Sequence, residues 1–511
     1  MGSTANRVIK NTGFLYVKMG ITMFVSLYTT RLILNSLGVS DFGIFNIVGG
    51  AIAMLGFLNT AMASATQRFM SYSEGEGDKE KQKSIFNVSF VLHLGISLIV
   101  GIVLLIAGYF FFNGILNIPE DRIFAAKVVY GSLIVSTMFT VMTVPYDAAM
   151  NAHENMKYYA IVGVFESFLK LAVAFACVYT VYDKLIVYGI LMACIPLITL
   201  TIMRVYCHKH YEECVIAPRV YWQKGLMREM TSFAGWNLFQ TAVAMITNYG
   251  LGIVLNVYYG TMLNAAQGIA NQLNGQMGVL TNNISKAVSP IIVKSAGRKE
   301  QNKMMNVSFF FSKIFFVITS MMLVPFLMFG EAILKWWLKE VPPYTNIFLI
   351  LIILVSITEI FLNSLGQMIS AIGRIKYVSL FRSSSTILCL PTILLLFYCN
   401  FPPYVMYIVL LLKTIINIGI SLYLSSVYYG LSVKFYFNNV LFRCILFLSI
   451  IMISTNLCRS FFDNVDVVIM LILIFMLMLF LLMITFVIVF DRNERKQILL
   501  VMQSIIKYKN R

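Results

Sequence analysis

The 511-residue chain is 59% hydrophobic and only 12% charged, with a mean hydropathy of +0.82, against roughly a quarter charged in an ordinary soluble domain. A net charge of +17 would suit a nucleic-acid binder in a soluble chain, but so apolar a chain cannot hide its surface in water, which excludes the soluble classes. Its apolar runs are too long for barrel strands of about 9–11 residues, and this leaves helices of about 20 residues crossing a bilayer.

Apolar runs between polar punctuation predict spans over 11–37, 43–65, 85–113, 123–146, 158–181, 185–204, 230–257, 262–290, 305–331, 344–366, 377–399, 403–427, 440–458 and 467–490. The first run, after Arg7 and Lys10, imitates a signal peptide, but it holds Lys18 and Arg31, is long for an h-region and lacks a small-residue cleavage site. It is predicted to be the first span, retained. Lys18 lies roughly two turns from the end of that span, where snorkelling competes with a functional role. His93 in the third span reads more readily as a packing histidine than as a proton carrier.

Glu166 and Lys170 in the fifth span are spaced i, i+4 with the acid first. They either neutralise each other or serve substrate or proton coupling. After the sixth span, Cys207 and Cys214 stand near His208 and His210, but without metal-like spacing and on the side assigned below as reducing. The seventh span carries Asn237, Gln240, Thr241 and Asn248. The eighth carries Asn264, Gln267, Asn271, Asn274, Gly278, Asn282 and Ser285 at steps of three or four, which holds them on one face. Such a stripe lines a polar path or bonds helix to helix. Lys313, Glu359 and Lys413 are further intramembrane charges, each needing a partner or a use.

With the N-terminus inside and spans alternating, 28 of the lysines and arginines fall on one side and five on the other. The positive-inside rule therefore predicts both termini in the cytoplasm, and the net charge marks the leaflet with anionic lipids. An internal repeat appears at a shift of about 220 residues: Gly77-x-Lys79-Glu80-x-x-Lys83 aligns with Gly297-x-Lys299-Glu300-x-x-Lys303, and Asn87-Val88-Ser89-Phe90 recurs as Asn306-Val307-Ser308-Phe309. Ala152 to Tyr158 likewise matches Ala371 to Tyr377. Six spans per unit give a parallel repeat about an axis along the membrane normal. The expected layout is a six-helix lobe at 1–204, a basic linker at 205–229, a second lobe at 230–427, two added helices at 428–490 and a basic tail at 491–511.

No phosphate-binding lysine loop, dinucleotide fingerprint or metal spacing is found, so neither an enzyme, a metal nor a cofactor is predicted. Energy would come from a proton or sodium gradient, the membrane potential or the substrate's own gradient.

The chain resembles the Wzx-type lipid-linked oligosaccharide flippases, of the polysaccharide transporter family in the multidrug/oligosaccharidyl-lipid/polysaccharide exporter superfamily. The residues that carry this are Arg31-Leu32-Ile33-Leu34-Asn35-x-Leu37-Gly38-x-x-Asp41-Phe42-Gly43, Thr66-Gln67-Arg68-Phe69, Pro145-Tyr146-x-Ala148-x-x-x-Ala152-x-Glu154-x-Met156 and Ser289-Pro290. The resemblance implies an all-α polytopic membrane protein of about fourteen transmembrane helices: two six-helix lobes in a V around a basic cavity, plus two C-terminal helices. It implies transport of undecaprenyl-pyrophosphate-linked oligosaccharide from the cytoplasmic to the outer leaflet of a bacterial cytoplasmic (inner) membrane by alternating access, for O-antigen, capsule or other surface polysaccharide. Partners would be membrane lipids, a polysaccharide polymerase and a chain-length regulator, with no nucleic acid. The candidate substrate-binding residues are Arg31, Lys18, Asn35, Arg68, Glu166, Lys170, Asn237, Gln240, Asn248, Asn264, Gln267, Asn271 and Asn274. Arg31 is favoured for its place in the motif and its fit to phosphate oxygens. The second lobe departs from the pattern in holding few central cations. A multidrug exporter of the same superfamily would favour acids in the cavity, whereas Glu166 and Glu359 are the only ones read deep in the spans. A membrane-embedded polymerase or glycosyltransferase would need a larger outer loop than about Gly330 to Tyr344.

Overall fold

The structure, a computed structural model, describes residues 2–53, 56–115, 119–338, 341–461 and 467–499. Some side chains inside helices, that of Arg31 among them, lie outside the described set. Every regular element among the described residues is helical. The long helices are α1 (Gly2–Ala53), α2 (Gly56–Glu76), α3 (Lys79–Phe110), α4 (Ile123–Ala152), α5 (Met156–Tyr179) and α6 (Lys184–His210). After the short α7 (Pro218–Tyr221) come α8 (Lys224–Gly297), α9 (Gln301–Leu338), α10 (Thr345–Ile372), α11 (Ile375–Tyr398), α12 (Val405–Tyr429), the short α13 (Val433–Tyr436), α14 (Phe442–Phe461) and α15 (Val467–Ile488).

Twelve segments among the described residues are long and apolar enough to cross a membrane. The two expected spans that fall short are the second, made by α1 after Gly38 together with α2, and the eighth, made by α8 after Gly260. Both are long and helical. The eighth fails on hydropathy because it carries polar side chains, the second is interrupted at residues 54–55, which lie outside the described residues, and the two stand in equivalent positions of the internal repeat. The count of about fourteen spans holds on this basis.

The repeat is written in the backbone as well. Gly38 (φ 79°, ψ 169°) breaks α1 and Gly260 (φ 78°, ψ −176°) breaks α8 in the same conformation, one that a residue without Cβ adopts at no steric cost. Farther along, Glu154 (φ 57°) and its counterpart Gly373 (φ 88°) both turn left-handed between consecutive helices.

Several helices run past the ends that hydropathy predicts. α2 reaches Glu76, α3 starts at Lys79, α4 continues to Ala152 and α8 to Gly297. An apolar run measures only contact with hydrocarbon, whereas the backbone ladder continues into water wherever a cap serves the end groups. Asp78 accepts from the Lys81 amide at the start of α3, and Asn155 from the Tyr158 amide at the start of α5.

The chain divides into two compact units, Ile9–Leu238 and Phe239–Arg511, the latter together with Met1–Val8. In the first, α4 is central, packing on α2, α3 and α6. Its core joins Ile44 and Val48 to Val100, Leu104, Ala126, Val129, Ile134 and Leu185. In the second, α10 packs on α9 and α12, while α14 and α15 lie against α9. A capping box closes the chain's last described helix: the Glu494 and Asn493 amides donate to Asp491, and the Asp491 amide donates to Glu494 Oε2 at 2.7 Å. Both Glu494 oxygens also accept from Lys313 Nζ, at 2.8 and 2.9 Å, deep on α9. Lys313, read as an intramembrane charge in need of a partner, is thus one half of a buried ion pair.

Candidate functional site

In the unit Ile9–Leu238, the kinked α1 carries Lys18 to α5, where its Nζ sits 4.1 Å from the centre of the Tyr159 ring. Gly163, one turn on, makes the room, since a Cβ there would overlap Lys18 Cε. The charged neighbours of the Tyr159 hydroxyl are Asp147 and Glu166. Glu166 pairs with Lys170 at 2.7 Å, both half-exposed. Lys18, Glu166 and Lys170 are therefore brought to one region, and Asp147 joins them. Sequence reasoning missed Asp147 because it ended the fourth span at 146; the signal was that the helix goes on to Ala152.

Arg68 is held apart from that group. Its guanidinium lies 4.5 Å, 5.0 Å and 5.5 Å from the rings of Phe69, Tyr72 and Phe233, with Glu229 and Glu76 as acidic neighbours. Asn35 is exposed, and Asn237 reaches Ser64 Oγ at 3.5 Å. His93 is buried, its Nδ1 sharing a hydrogen bond of 2.8 Å with the Ser89 carbonyl. The side chain of Arg31 lies outside the described residues.

Asp41, quoted above only as part of a motif, has a defined partner. Arg122, entering α4, donates through Nε to Asp41 Oδ1 at 2.9 Å and through Nη1 to Asp183 Oδ2 at 2.7 Å, and its Nη2 also bonds Asp41. One arginine thereby fastens the kink after Gly38 to the N-cap of α6. The other unit ties its equivalent kink differently: Tyr259, just before Gly260, donates to the Phe401 carbonyl in the loop before α12.

In the unit Phe239–Arg511, Gln240 is half-buried and Asn248 exposed. The predicted stripe on the eighth span divides. Asn264 and Gln267 turn their amide oxygens to within 3.7 and 3.6 Å of the place a Gly252 side chain would take, and Gln267 is buried. Asn274 Oδ1 accepts from Ser356 Oγ of α10 at 2.9 Å. Of the three, Asn274 bonds helix to helix, while Asn264 and Gln267 lie against the first half of α8. The open face is turned by about one residue and comprises Gly268, Asn271, Gln272, Gly275, Gln276 and Asn282. Periodicity fixes that a polar face exists, but only the positions of the first half of α8 and of α10 decide which part is covered.

Arg382 lies two turns inside α11 and is half-buried. Its Nη2 donates to the Leu362 carbonyl, filling the notch left by Gly366 on α10. Glu359 has Lys413 and Arg382 as its charged neighbours. Two cations of this unit, Lys413 and Arg382, thus lie near Glu359.

Comparison with known proteins completes the description. Residues 17–176 match the MatE family model. A relative in Bacillus subtilis (strain 168), the uncharacterized membrane protein EpsK, is 27% identical over 122 residues, covering 23% of this chain and 23% of that protein. A crystal structure of MATE in the bent conformation superposes with a TM-score of 0.71 at 12% identity, over 89% of this chain and 99% of that one. The outward-facing conformation of a multidrug resistance MATE family transporter of the MOP superfamily gives 0.68 at 13%, over 83% and 95%. A MOP superfamily transporter from Pyrococcus furiosus Vc1 (DSM3638), whose binding pocket is described as reversed in polarity, gives 0.67 at 13% identity, over 83% and 95%. The chain is a multi-pass membrane protein with the fold of the MATE transporters, and its residues 17–176 match the MatE family model.

Proposed function

We propose that this protein is a secondary transporter that carries undecaprenyl-pyrophosphate-linked oligosaccharide from the cytoplasmic to the outer leaflet of a bacterial cytoplasmic membrane, by alternating access, for surface polysaccharide synthesis. One observation carries the reading. The two acids read deep in the spans each have cations beside them, Lys170 for Glu166 and Lys413 with Arg382 for Glu359. A cationic drug entering such an interior meets carboxylates already neutralised, whereas a diphosphate with its sugars meets lysine, arginine and uncharged amides. Arg31 remains the favoured phosphate contact on motif grounds, with an ion gradient or the membrane potential as the driving force. A polysaccharide polymerase and a chain-length regulator would act on the product outside.

Deletion of the gene tests the reading. Lipid-linked oligosaccharide is expected to accumulate on the cytoplasmic leaflet while surface polysaccharide is lost. Normal polysaccharide with raised drug retention would select the multidrug exporter instead.

A further inference from the structure

Residues 261–285 contain no Asp, Glu, Lys or Arg, yet they include eight Asn and Gln side chains. Asn264 and Gln267 lie against Gly252, Asn274 accepts from Ser356, and Asn283 is half-buried. Asn271, Gln272, Gln276 and Asn282 are exposed and make no protein hydrogen bond among the described residues. Amides facing hydrocarbon would be costly, so this face of a membrane helix needs water or a ligand that both donates and accepts.

The glycines between them point the same way. Gly268, Gly275 and Gly278 have nothing within 4 Å of where a Cβ would stand. Helix packing therefore does not require them, although glycine weakens a helix relative to alanine. What they leave is a shallow strip of bare backbone flanked by amides. Residues 261–285 themselves offer a charged group no counter-ion. A neutral, flat, hydroxyl-rich ring finds donors, acceptors and close approach.

We propose that this face of α8 reads the neutral saccharide portion of the cargo, separately from the cationic residues that would meet its diphosphate. This rests on the lipid-linked oligosaccharide reading. The face then sets selectivity for glycan length and hydroxyl pattern, while contributing little to recognition of the lipid diphosphate.

The test uses the full chain in proteoliposomes, with undecaprenyl-diphosphate glycan extracted from cells lacking the protein and the same lipid trimmed to its first sugar. Two variants are compared with wild type: Asn271→Ala/Gln272→Ala/Gln276→Ala, and Gly268→Ala/Gly275→Ala, whose added methyls meet open space. Both are expected to reconstitute normally. Each should slow transport of the full glycan lipid by about tenfold or more, as the loss of two or more hydrogen bonds implies, with the single-sugar lipid slowed less than about twofold. Equal slowing of the two lipids, or slowing of neither, overturns the proposal and leaves the transport reading intact. Failure of the wild type to move either lipid overturns the transport reading and this proposal with it.

Discussion

Gly163 and Gly189 are both close helix contacts, yet they answer to different neighbours. A Cβ at Gly163 would meet the flexible end of Lys18, which can swing aside, whereas one at Gly189 would stand 2.9 Å from Val129 Cγ2 and 3.1 Å from its Cα, in the packed core of α4 and α6. Gly189→Ala is expected to lose about 1–3 kcal/mol through overpacking, and Gly163→Ala well under about 1 kcal/mol, in thermal unfolding of the purified protein. An equal loss in both would mean that Lys18 is as rigidly held as the core.

The Arg122 clamp adds a pH dependence at the same scale. Partial burial works against ionisation of Asp183, but the Arg122 guanidinium and the amides of Ile186 and Leu185 outweigh it and hold the carboxyl below its ordinary value of 3.8. A depressed carboxyl contributes stability that is present above the ordinary value and fades as pH falls through and below it. Arg122→Met should therefore cost about 1–2 kcal/mol at pH 7, with the gap to wild type narrowing below about pH 4. A gap that does not change with pH would show that Arg122 acts by packing alone.

At the scale of elements, the ion pair between Lys313 and Glu494 is the joint between α9 and the helix after α15. Its two side chains are only 2% and 13% exposed, so removing one partner strands a buried charge, at about 3–5 kcal/mol. Lys313→Ala is expected to lose amide-exchange protection over 492–499, while Lys313→Met with Glu494→Met restores most of it. If the single variant keeps full protection, the apolar contacts of α15 suffice to dock that helix. None of this joint was legible in sequence, because its halves stand 181 residues apart and Glu494 was read only as part of a basic tail. The capping-box spacing at Asp491 and Glu494 was the available local signal.

For the whole molecule, orientation is the coarsest testable property. On a cysteine-free background, Lys224→Cys at the start of α8 should resist an impermeant thiol reagent in intact cells and react after lysis, and labelling without lysis would invert the assigned sides. The sequence by itself determined the solvent, the helical class, the approximate number of spans and the repeat. Those follow from hydropathy and period, which each short segment carries independently of the rest. Tertiary structure decided which polar residues meet one another: Arg122 with Asp41 and Asp183, Arg382 beside Glu359, and the division of the α8 stripe into a bonded and an open face. A helix of about 3.6 residues per turn fixes which side chains share a face, but the partner across that face comes from a helix tens or hundreds of residues away, and only the packed bundle brings it there.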